Sequence, residues 1–109
     1  MTSFLLLIHG REARDLSPQQ LGAHLAEWNT WIDGLRSCGR LKDAAPLVEG
    51  VRAVRAGAVT DGPFAETKDI VSGYLLLRAE DLTQVTTIAR GCPALGLGGW
   101  VEVRELEAG

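Results

Sequence analysis

The chain has 109 residues, with 11 Lys plus Arg against 14 Asp plus Glu and a formal charge of −3. That length suits one domain over residues 1–109 and leaves no room for separate catalytic and substrate lobes. Leu, Ile, Val and Phe contribute 30 residues, enough for a packed core and too many for a disordered chain. The basic residues are scattered in an acidic background, so direct nucleic-acid binding has no electrostatic support. No apolar run approaches the roughly 20 residues of a membrane span. Met1, Thr2 and Ser3 give the apolar stretch Phe4–Ile8 no positive leader, so a cytoplasmic protein is expected. Cys38 and Cys92 form no CxxC pair and are expected as buried thiols; with His9 and His24 they show no zinc-ligand spacing.

Phe4–Ile8 is continuously apolar and predicts a strand buried on both faces. Ser17, Pro18 and Gln20 then predict a helix start, with serine as cap, proline in the first turn and glutamine completing a capping box. The helix should run from Pro18 to about Cys38 and stop at Gly39. Leu21, Leu25, Trp28, Ile32 and Leu35 form its inner stripe, with His24 and Trp31 on one flank. Leu41–Val48 is a weak strand interrupted by Pro46. Val51–Arg55 and Ala58–Thr60 are the arms of a hairpin turning at Ala56-Gly57. Asp61-Gly62-Pro63 is a turn signal, and β-formers return from Ile70 to Arg78. Asp81 and Gln84 repeat the capping pattern before a short helix with Leu82, Val85, Ile88 and Ala89 inside, ended by Gly91 and Pro93. Leu95–Gly99 is a connection, and Trp100–Leu106 is the last strand.

This order is an α+β, ferredoxin-like βαββαβ unit with two helices on one face of a mainly antiparallel sheet. The other face needs a cover. A second copy supplies it most simply, closing two sheets into a dimeric α/β barrel, so a homodimer is expected.

Val59-Thr60-Asp61-Gly62-Pro63-Phe64-Ala65-Glu66-Thr67-Lys68-Asp69, followed by Gly73-Tyr74-Leu75, resembles the signature of the DGPF group of the YCII-related family. The terminal strands Phe4–Ile8 and Val101–Arg104 are similar to that group's as well, so the resemblance covers nearly the whole chain. It implies a dimeric α/β barrel. The wider family implies a His and an Asp in a cleft and includes a dehydrochlorinase of hydroxylated aromatics. Its histidine stands in a His-Leu step on the first helix, matched here by His24-Leu25. Its aspartate precedes a proline near the end of the second helix, where this chain has Cys92-Pro93.

Asp61, in the signature loop, is therefore the candidate acidic partner of His24, although its carboxylate equally suits holding the Asp-Gly-Pro turn. A histidine exchanges protons near neutral pH, and a carboxylate fixes its tautomer. His24 also suits a plain helix-flank position. Trp31 and Phe64 are candidate walls of a pocket, Glu66 and Lys68 its polar side, and His9, at a strand end, its mouth. The first functional expectation is a lyase or isomerase that needs no cofactor and no metal and moves a proton on a small organic substrate, with aromatics among the candidates. The alternative is a non-catalytic dimer that binds a small molecule or a protein, as an accessory to transcriptional regulation. That second idea follows from the sigma-factor gene neighbourhoods of the family it resembles.

Overall fold

A computed structural model describes residues 1–10, 15–48, 50–62 and 70–108. Strand β1 (Thr2–His9) leads to helix α1 (Pro18–Ser37) and β2 (Leu41–Pro46). A hairpin of β3 (Val51–Arg55) and β4 (Ala58–Gly62) follows, then β5 (Val71–Ala79), α2 (Leu82–Ala89) and β6 (Trp100–Glu105). The main sheet has the order β2-β5-β1-β6, with every neighbour antiparallel. Apart from the hairpin, this is the ferredoxin-like pattern of two split β-α-β units, and the α+β expectation holds.

Period-two alternation decides which side chains meet the helices. Phe4, Leu6 and Ile8 of β1 and Leu75, Leu77 and Ala79 of β5 form one core with Leu35 of α1 and Val85 and Ala89 of α2. Ser3, Leu5, Leu7 and His9 point to the opposite face and are only half-buried. The expectation that β1 is buried on both faces is thus corrected among the described residues: one face is core, and the side chains of the other are half-buried.

The two helices sit differently on the sheet. α2 packs closely, with Val85 fully buried. α1 has only His24 and Leu35 buried, and its expected inner residue Leu25 is 52% exposed. Leu25 alone leaves the expected stripe, since Leu21, Trp28 and Ile32 are half-buried and Leu35 buried, and His24 from the flank is buried beside them. The cause is a gap: α1 stands off the sheet over β2 and β5, so Leu25 lines empty space. Leu82 is also outside the core, at the first turn of α2.

Local signals are otherwise as expected at the ends of α1. Ser17 Oγ accepts from the Gln20 backbone N–H at 3.1 Å, and the Ser17 N–H donates to Gln20 Oε1 at 2.9 Å. At the other end Gly39, at φ 75°, lets its N–H reach Arg36 O and the Arg40 N–H reach Leu35 O. In α2 the Asp81 cap forms, but Gln84 Oε1 accepts from the Glu80 N–H and from Arg40. The expected Leu95–Gly99 connection contains part of a 3-10 turn, Pro93–Leu97. Cys92 is buried as expected, whereas Cys38 is exposed because it caps α1 on its outer side.

The hairpin pairs only with itself, as a separate two-stranded sheet turning at Gly57, φ 82°. The radius of gyration is 15.3 Å, above the roughly 13 Å of a compact chain of this length.

The capping box fixes where α1 starts and hence where His24 points. Ser17→Ala should lower stability by about 1 kcal/mol, read as a shift in the urea midpoint at unchanged slope.

Candidate functional site

Because α1 stands off the sheet, a cavity of about 590 Å³ lies beneath it. Its apolar wall comes from Leu25, Trp28 and Ile32 of α1 and from Ile8, Ala44 and Leu75 of the sheet. Asn29, Arg36 and Ser72 bring polar groups to the same space. Ser72 Oγ donates to Ile8 O at 3.3 Å, and Arg36 is held at its outer end by Asp33 at 2.9 Å. The floor needs a small residue at position 73, since a Cβ on Gly73 would stand 3.1 Å from Ala45 O.

His24 lines this cavity with only 6% of its surface exposed. Its Nε2 accepts the indole N–H of Trp28 at 2.9 Å, one helical turn onward. Nδ1 has no hydrogen bond among the described residues, yet it is not among the side-chain atoms closed off from solvent. The arrangement sets a buried imidazole in the wall of a largely apolar space that Trp28 also lines. It can orient a ligand by one hydrogen bond while the walls bury the ligand's ring.

The other expected site residues do not gather round His24. Asp61 lies on the hairpin, with 78% of its side chain exposed, and pairs across the strands with Arg52 at 3.1 Å. It is not in the cavity wall, because β4 pairs with β3 and not with the main sheet. Trp31 faces the other flank of α1, in a shallow groove with Gly91 and Pro93. Its ring meets Trp28 edge-on at 5.5 Å. Phe64, Glu66 and Lys68 lie outside the described residues.

His9 is on the opposite face of the sheet from the helices. Its Nε2 is 3.0 Å from Glu102 Oε1, and its ring stacks on Trp100 at 3.9 Å. Arg104 reaches the second oxygen of Glu102 at 3.2 Å. The hydrogen bonds from Arg104 and then His9 hold the Glu102 carboxyl below its usual range. His9 Nδ1 is buried with no partner. Near β2 on this face, Tyr74 donates to Asp43 Oδ2 at 2.9 Å. Among the described residues, no three His, Cys, Asp or Glu side chains gather as a metal site would require, and no helix is long and apolar enough to cross a membrane.

Two partners escaped the sequence reading. Trp28 as partner of His24 had a signal, the i,i+4 spacing on one helix. Glu102 as partner of His9 had none, because their adjacency comes from the pairing of β1 with β6 across the fold.

The family model of the YCII-related domain matches residues 2–107. Among solved structures, the chain is similar to the 5-chloro-2-hydroxyhydroquinone dehydrochlorinase of Burkholderia phenoliruptrix AC1100, solved in complex with 2,5-dihydroxybenzoquinone. The TM-score is 0.54 at 16% identity, over 98% of this chain and 95% of that one. At this identity the likeness establishes the fold. No curated protein matches the chain.

Tyr74 is the only tyrosine, so its ionisation is directly readable by ultraviolet absorbance. The hydrogen bond to the Asp43 carboxylate stabilises the neutral phenol and raises its pKa, with burial and the carboxylate's charge acting in the same direction. Phenolate should therefore appear at higher pH than in free tyrosine, and Asp43→Asn should move the titration back down.

Proposed function

The chain belongs to the YCII-related family, and from that premise we propose a lyase or isomerase, independent of cofactors, that shifts protons on a small hydroxylated aromatic compound. His24 is the residue that meets the substrate's oxygen. The observation that carries this reading is the placement of His24: a buried imidazole, at the wall of an apolar cavity, with one ring nitrogen uncommitted. A volume of about 590 Å³ falls within the several hundred Å³ common for small-molecule pockets. Trp28, Ile32 and Leu75 suit the faces of an aromatic ring, and Asn29 and Ser72 suit its substituents. The fold relative's named substrate is a chlorinated hydroxylated hydroquinone, which supports this substrate class. Asp61 has no part at His24 in a single chain, since it is exposed and committed to Arg52.

The DGPF-like signature supports a further element of the proposal, a homodimeric barrel in which the helix-free sheet face meets its copy. That face carries Leu5, Leu7, Leu76 and the 43%-exposed Trp100, an apolar centre with Arg104 and Glu102 beside it. Closing it would bury area of the order of 1,000 Å², the scale of a stable interface.

A non-catalytic ligand-binding dimer is the second reading. One observation favours it: the neighbour fixed on His24 is an indole N–H, not the carboxylate that commonly supports a histidine base.

A panel of hydroxylated aromatics, chlorinated and not, offered to the intact protein and to His24→Ala separates these readings. Turnover lost at least a hundredfold in the variant is expected; equal turnover removes His24 from the reaction, and binding without turnover selects the second reading. For the assembly, Leu76→Arg should convert a dimer in sedimentation to a monomer, and a wild-type monomer at micromolar concentration would refute the barrel.

A further inference from the structure

We infer that Trp28 is a positioning residue that fixes His24 as its Nδ1–H tautomer, so that the imidazole addresses the cavity as a hydrogen-bond donor. The indole nitrogen has a hydrogen and no lone pair to offer, so it can only donate. At 2.9 Å from Trp28 Nε1, His24 Nε2 must therefore be the acceptor and must be bare. A neutral imidazole with a bare Nε2 carries its proton on Nδ1.

Trp28 is itself held in place. Its ring meets His24 edge-on at 6.2 Å and Trp31 edge-on at 5.5 Å. Trp31 in turn lies so close to Gly91 that a Cβ there would stand 3.0 Å from its Nε1. The tautomer is thus set by a run of packed rings anchored on the end of α2, outside the cavity it serves.

The consequence is chemical. A ring orienting through a carboxylate presents a bare nitrogen and takes protons; a ring orienting through an indole presents N–H. To accept a proton, His24 would have to use Nε2, behind Trp28, and give up that hydrogen bond. The cavity therefore selects a ligand that brings an acceptor to Nδ1, an aromatic phenolate or ring carbonyl oxygen, and His24 polarises that oxygen as a neutral donor. The ligand class rests on the function proposed above, whereas the tautomer rests on geometry alone.

The test is 15N NMR of the full-length protein labelled at histidine, with 4-nitrophenolate as probe. His24 should show a protonated Nδ1 and a bare Nε2, and Trp28→Phe should redistribute the proton between the two nitrogens. His24→Phe should weaken 4-nitrophenolate binding about tenfold or more, the loss of one hydrogen bond to an anion. A wild-type His24 protonated at Nε2 overturns the inference, with no need for any variant to fold. An unchanged tautomer in a folded Trp28→Phe protein overturns the role of Trp28. An Nδ1–H His24 in a protein that does not bind 4-nitrophenolate supports the tautomer and counts against the ligand class.

Discussion

The pairing of β1 between β5 and β6 is the constraint from which the rest of the molecule follows. A central strand must give alternate side chains to opposite faces. In β1 this sends Phe4, Leu6 and Ile8 to the helices and Leu5, Leu7 and His9 away from them. A one-residue slip would exchange the two sets and put His9 in the core. The register is held on both sides, by Leu6 opposite Leu75 and opposite Val103. It also determines that the two histidines lie on different sides of the sheet and belong to different environments.

The cavity arises because the helices share the sheet unequally. α2, with Val85 and Ala89, buries itself against β5 and β6, and the following turn, with Ala94, against β6 and α1. α1 joins this core through Leu35, with Trp28, Trp31 and Ile32 partly buried against it, while Leu25 is left exposed over the space beneath. Leu25, Trp28 and Ile32 make the helix side of the space below largely apolar, with His24, Asn29 and Arg36 as its polar groups. Retaining exposed Leu25 there has no evident value for stability in the isolated chain, since an unfilled wall forfeits packing contacts. Gly73, which clears the floor beside Ala45, acts in the same sense.

Local chemistry was legible in the residues. Ser17 with Gln20, Gly39, and Ala56-Gly57 each stand where the structure has a cap, a helix stop and a turn, because these depend on neighbours a few residues away. The strand and helix order was legible for the same reason, and with it the ferredoxin-like pattern. Of the expected site residues that are described, His24 is the one that lines the cavity. Its stripe of Leu21, Leu25, Trp28, Ile32 and Leu35 assumed a helix lying flush on a sheet, and periodicity carries no information on a gap beneath. The hairpin hides the position of Asp61 in the same way: β-pairing of Arg52 with Asp61 is local, but where the hairpin stands relative to α1 is not.

The two imidazoles show why position relative to the sheet matters chemically. His24 Nε2 accepts from an indole, which leaves a donor facing the cavity. His9 Nε2 lies against a carboxylate that Arg104 keeps ionised, so it donates, and the neutral ring is left with a bare Nδ1. That Nδ1 is sealed from solvent and has no partner among the described residues. His9 therefore helps hold β1 to β6 through Glu102, stacked on Trp100. The same residue type, one strand end and one helix turn, is given opposite polarity by its nearest neighbour. Among the described residues, the ring on the helix side lines a space that a small molecule can fill.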